Sequence, residues 1–108
     1  MIKRDKQVYA MHWQGIDIEL TYCPSWSKAY YNTYGDALAH LECRAIHPHK
    51  ARLPITETGY RSHFVAACHV EAEGGPVAYL TAWLDEAAQS ADWQRHLEAQ
   101  RQPMLFDL

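Results

Sequence analysis

The stretch from Ile16 to Cys23 constrains the fold more than any other. Apolar Ile16, Ile18, Leu20 and Tyr22 alternate there with Asp17, Glu19, Thr21 and Cys23. Successive side chains of a strand point to opposite faces, so a repeat of two gives one apolar face and one polar face. Residues 7–13, Gln-Val-Tyr-Ala-Met-His-Trp, are also rich in β-formers, and Gln14-Gly15 separates the two runs. Together they predict an N-terminal hairpin closed by a short turn. Pro24 ends the second strand, because it has no N–H to give to a ladder.

The rest of the chain predicts an α+β domain. Residues 24–36 hold Pro24, Ser25, Ser27, Asn32 and Gly35 and read as a loop. A third strand is expected at about 37–46, with Leu41 and Cys43 on one face and His40, Glu42 and Arg44 on the other. From His47 to Arg61 two prolines and Gly59 suggest an irregular connector, and Phe64 to Val70 a short fourth strand. Gly74-Gly75-Pro76 marks a helix start. Val77, Leu80, Leu84, Ala87 and Ala88 then recur at helical spacing on one face. Ser90 is the expected N-cap of a second helix to about Gln102, with Trp93 and Leu97 buried and Pro103 as its stop. The expectation is a small antiparallel sheet, the hairpin plus one or two further strands, packed against two C-terminal helices. Residues 1–102 form the domain and 103–108 a tail.

Length and composition narrow the class of protein. At 108 residues there is room for one core, and 48% apolar residues are enough to build it. No apolar run approaches the roughly 18 residues of a membrane span, and Met1-Ile2-Lys3-Arg4-Asp5-Lys6 lacks the apolar stretch of an export signal. Cys23, Cys43 and Cys68 are three, with no Cys-x-x-Cys pair, which fits a reducing cytoplasm better than a disulfide framework. A formal charge of −3 argues against a dedicated nucleic-acid binder, whose affinity comes largely from phosphate neutralisation.

Four sets of residues could carry chemistry. Cys43, His47, His49, Cys68 and His69 invite a zinc reading, but structural zinc uses tight ligand pairs and these spacings are loose, so no metal or cofactor is expected. Pro54 to Phe64 is dense in polar groups, and Glu57, Arg61 and His63 could form an acid–base or anion-binding set. Equally, Gly59 could supply a positive φ, and Arg61 could pair with Glu57 in a purely structural loop. Trp26, Tyr30, Tyr31 and Tyr34 suit a protein interface, because such rings bury large areas with few rotamers to freeze. They could instead cover the sheet. The tail, Gln102-Pro103-Met104-Leu105-Phe106-Asp107-Leu108, either folds back onto the core or presents two apolar anchors to a partner groove.

Two resemblances follow from these residues. Gln102-x-x-Leu105-Phe106 resembles the bacterial sliding-clamp-binding motif, which implies glutamine at the lip of a pocket filled by the Leu-Phe pair; Pro103 departs from the commoner leucine. Residues 36–108 are similar to a family of small proteins encoded on bacterial plasmids and integrative elements, through Ala39-His40-Leu41-Glu42, Leu53 to Phe64 with its Thr-Glu-Thr-Gly-Tyr-Arg-Ser-His-Phe run, Gly74-Gly75-Pro76-Val77 and Ala82-Trp83-Leu84. That resemblance implies a mobile-element setting and transfers no catalytic residue. The first reading is thus a non-enzymatic accessory protein that engages the sliding clamp through Gln102, Leu105 and Phe106. The second is an anti-defence inhibitor, such as an anti-CRISPR protein, that occludes a nucleic-acid-binding complex. The third is a small enzyme using Glu57, Arg61 and His63. No direct nucleic-acid or membrane contact is expected.

Overall fold

A computed structural model describes residues 5–101. Four strands form one antiparallel sheet in the order of the chain: β1 (Gln7–Trp13), β2 (Ile16–Cys23), β3 (Leu38–His47) and β4 (Tyr60–Ala66). The hairpin pairs Gln7 with Tyr22 at one end and Trp13 with Ile16 at the other. Gln14 and Gly15, with φ of 45° and 81°, make the turn, as a two-residue hairpin loop that follows strand twist requires. The period-two reading holds as far as Tyr22: Ile18, Leu20 and Tyr22 are buried, while Asp17 and Glu19 are exposed; Cys23, expected on the polar face, is buried as well.

Ala39, Leu41, Cys43 and Ala45 of β3 share that buried face. The helix α3 (Pro76–Ala87) covers it, placing Leu80 and Leu84 in one cluster with Ile18, Leu20 and Leu41. Trp13 Nε1 donates to Asp85 Oδ1 at 2.8 Å and ties the hairpin to this helix. Ser90 caps α4 (Ala91–Arg101) by accepting from the Trp93 N–H at 3.1 Å. Trp93 is buried against Trp13, with ring centroids 5.8 Å apart. Leu97 is half-buried.

Three expectations need correction. The 24–36 segment is not a plain loop: it contains α1 (Lys28–Tyr34), capped by the Ser27 side chain accepting from the Tyr30 N–H and ended by Gly35 at φ 72°. The fourth strand lies earlier than Phe64–Val70, at Tyr60–Ala66, and the chain then turns into α2 (Ala67–Ala72). Ala67 N–H donates to the Ala37 carbonyl at 2.9 Å, so the ladder to β3 stops where the new helix starts. The connector is consequently shorter. Inside it, Leu53 and Ile55 are buried and Gly59 takes φ 78° to let the chain re-enter the sheet.

Candidate interaction surface

Short helices are marginal in water unless one face packs. None of the residues of α1 is buried, so Tyr31 and Tyr34 stand largely exposed, at 54% and 69%. What fixes the helix is local. Ser27 and Gly35 cap its ends, Trp26 N–H donates to the Leu38 carbonyl at 2.7 Å, and Tyr30 packs on Tyr34 at 4.7 Å between centroids. Of the four predicted interface rings, Trp26 therefore joins the sheet, Tyr30 is half-buried, and Tyr31 and Tyr34 face outward.

Trp26 packs on the face of the sheet opposite the core. Its ring lies 4.4 Å from His40 and 5.5 Å from Phe64, and His40 and Phe64 are themselves 4.4 Å apart. The β3–β4 register sets His40 beside Phe64, Glu42 beside Ser62 and Arg44 beside Tyr60. Arg44 stacks over the Tyr60 ring at 4.9 Å. Phe64 and Tyr60 keep 49% and 39% of their surface exposed. This face thus offers aromatic rings next to α1.

Within the face lies a polar triple that the sequence did not reveal. His40 Nε2 meets Ser62 Oγ at 2.6 Å, and His40 Nδ1 lies 3.7 Å from Glu42 Oε1. Burial pushes the His40 imidazole below its ordinary pKa; Glu42 draws it partly back and Lys6 pushes it further down. The ring is therefore held toward its neutral form, which shares one hydrogen bond with the Ser62 hydroxyl. The pair is 22 residues apart in the chain and becomes visible only with the strand register.

Glu57, Arg61 and His63 do not converge. Arg61 and His63 share the helix-facing side of β4: Arg61 donates from Nη1 to the Ile55 carbonyl at 3.2 Å and lies 5.5 Å from the Trp83 ring. His63 Nε2 sits 3.3 Å from Tyr79 Oη, and its ring 4.4 Å from Trp83. Burial, then the Arg61 charge, hold the His63 imidazole low. Glu57 lines one cleft with Arg61, Arg52 and Asp92 but faces Arg52 at 3.9 Å, so the expected Glu57–Arg61 pair is replaced by Glu57–Arg52. Arg52 also bonds Asp92 and pins the connector to α4. Thr56 Oγ1 donates to the Tyr60 carbonyl at 2.7 Å, which gives this polar run a structural part.

Among the described residues no three histidine, cysteine or acidic side chains gather as a metal site would need. Cys43 is buried and its thiol is pushed up to about 11 by that burial, so it stays protonated in the core. Cys68 is exposed and donates from Sγ to Asp36 Oδ2 at 3.3 Å. Gln102, Leu105 and Phe106 lie outside the described residues.

The family model described as the KlcB third domain matches residues 6–93, which takes in the whole sheet, α1 to α3 and the first turn of α4. No curated protein and no solved structure matches the chain.

Proposed function

Since this chain belongs to the KlcB third-domain family, which is plasmid-associated, we propose that it is a non-catalytic accessory domain of a mobile element that works by gripping another protein. The observation that supports this best is the set of exposed rings: Tyr31 and Tyr34 on α1, with Phe64 and Tyr60 on β4. Large aromatic side chains exposed to water are the residue types enriched at the hot spots of protein interfaces. They are set on a short capped helix and on an edge strand, so they lie next to one another on one side of the sheet.

The partner we propose is the bacterial sliding clamp, through Gln102, Leu105 and Phe106. These residues follow α4 in the chain and lie beyond the family match, which ends at residue 93. Burying two such side chains contributes roughly 1.5–3 kcal/mol each, and ordering the segment offsets part of it. The full chain should therefore bind purified clamp with a Kd on the order of micromolar. Replacing Leu105 and Phe106 together with alanine should abolish that binding and leave the melting temperature unchanged. If the double variant loses several kcal/mol of stability, as truncated core residues do, the tail is a docked terminus and the clamp reading fails. An anti-defence role, with the aromatic surface occluding a partner, then takes its place.

A further inference from the structure

Two buried tryptophans pack together near the hairpin turn, and only one of them has its hydrogen bond. Trp13 Nε1 donates to Asp85 Oδ1 at 2.8 Å. Trp93 is 3% exposed and its ring lies 5.8 Å from that of Trp13, yet its Nε1 has no acceptor. Arg52 Nε is the other buried side-chain nitrogen without a partner among the described residues. Arg52 Nη2 is taken by Asp92 and faces Glu57, so the unused donor is the inner N–H of the guanidinium. Buried donors are nearly always paired, because an unpaired one has given up its water for nothing.

Trp93 and Arg52 line one groove of about 350 Å³ between the β1–β2 turn, the connector and α4. Its apolar wall is Ile16, Pro48, Ala51 and Leu97, and among the described residues no carboxylate lines it. An apolar groove with two unused N–H donors suits an oxygen acceptor carried on an apolar body. A cation would meet the Arg52 charge and no carboxylate of its own. An anion would have to compete with Asp92 and Glu57, which already offset the Arg52 charge. A plain hydrocarbon would cover the wall and leave both donors unpaired. A neutral carbonyl beside an aliphatic side chain satisfies the donors and the wall together. One residue of a peptide chain offers that combination.

We propose that this groove takes an aliphatic residue of a partner protein, whose backbone carbonyl accepts from Trp93 Nε1 and Arg52 Nε. The proposal rests on the protein-binding reading for its choice of partner and is independent of the clamp, which is tested at Leu105 and Phe106; either can fail alone. The full chain is titrated with N-acetyl-leucine amide while the Trp93 indole N–H is followed by NMR. That resonance should move downfield, as a newly made hydrogen bond requires, and saturate with a Kd on the order of 10 mM. N-acetyl-glycine amide, which has the carbonyls without the side chain, should bind about tenfold more weakly. Trp93→Phe keeps an aromatic ring and removes the N–H; Arg52→Lys keeps a cation for Asp92 and removes Nε. Each variant should weaken the leucine probe by about tenfold, read at the amide of Gly15 in the groove, with the spectrum confirming the fold. No saturable shift at about 100 mM probe, equal binding of the glycine amide, or unchanged affinity in both variants would each overturn the proposal. So would tighter binding of N-acetyl-leucine with its free carboxylate, which would make this an anion site. A shift that grows with protein concentration alone would place a second copy of the chain there and overturn it too.

Discussion

His40 and Gly59 show how much rests on single side chains. The His40 and His63 imidazoles are both held below their ordinary values, first by burial. The unfolded chain therefore binds more protons than the folded one between the lowered folded values and about 6.5, and stability must rise with pH across that window. Urea melts should give full stability above about pH 7, a decline as pH falls through about 6.5, and a plateau below the folded values. His63→Gln should flatten that slope; an unchanged slope would place the protons elsewhere. Gly59 is set at φ 78°, and an added Cβ would come within 2.7 Å of the Lys50 carbonyl carbon. Gly59→Ala should cost about 2 kcal/mol or more, combining left-handed strain with a backbone clash. Gly35→Ala, at φ 72° in open space, should cost only about 1 kcal/mol by the same melts. Gly59 was legible as a positive-φ position from its loop context. The His40–Ser62 contact was not, because no local pattern encodes which residues lie side by side across two strands.

Among the elements, legibility tracked burial. The hairpin and α3 announce themselves because each has one face that must be hidden, and that face leaves a period in the sequence. Helix α1 buries nothing, so its residues carry no period; its only signs were Ser27 and Gly35 at its two ends. Such a helix depends on its cap, and Ser27→Ala should cost about 1 kcal/mol and speed amide exchange in residues 30–34 ahead of the sheet. Uniform exchange across the domain would contradict this. The β4–α2 junction was misplaced because Phe64 and Val65 look like the middle of a strand, whereas the pairing to β3 ends at Ala66. The joint between hairpin and α3 is open to test at Asp85. Asp85→Ala leaves the Trp13 indole N–H without its acceptor in a nearly sealed site, and should lower stability by about 1–3 kcal/mol. A neutral result would mean water replaces the carboxylate.

At the level of the whole molecule, one face of the sheet is packed under α3 and the other carries exposed Ile46, Tyr60 and Phe64. Leu84 is fully buried between α3 and the sheet, and Leu84→Ala should cost roughly 2–5 kcal/mol. Ile46, 46% exposed, should tolerate alanine within about 0.5 kcal/mol. Equilibrium melts of the two variants separate these outcomes, and a costly Ile46 change would mean that the outer face is covered after all. The α+β class was readable because strand and helix periods occupy separate stretches of the chain. The candidate surface was half readable: the four rings could be named, but not that the sheet would take up Trp26 and leave Tyr31 and Tyr34 outside. The strand order has a consequence for synthesis. Because β1, β2, β3 and β4 pair strictly with their neighbours in the chain, each can join the sheet as it leaves the ribosome, before α3 emerges. A nascent chain that has emerged only as far as residue 70 therefore has its strands, with Leu53, Ile55 and Val70, but lacks α3. Part of the plate formed by Ile18, Leu20 and Leu41 would then face water, open to chaperones or to a second half-made copy, until Leu80 and Leu84 arrive to close it.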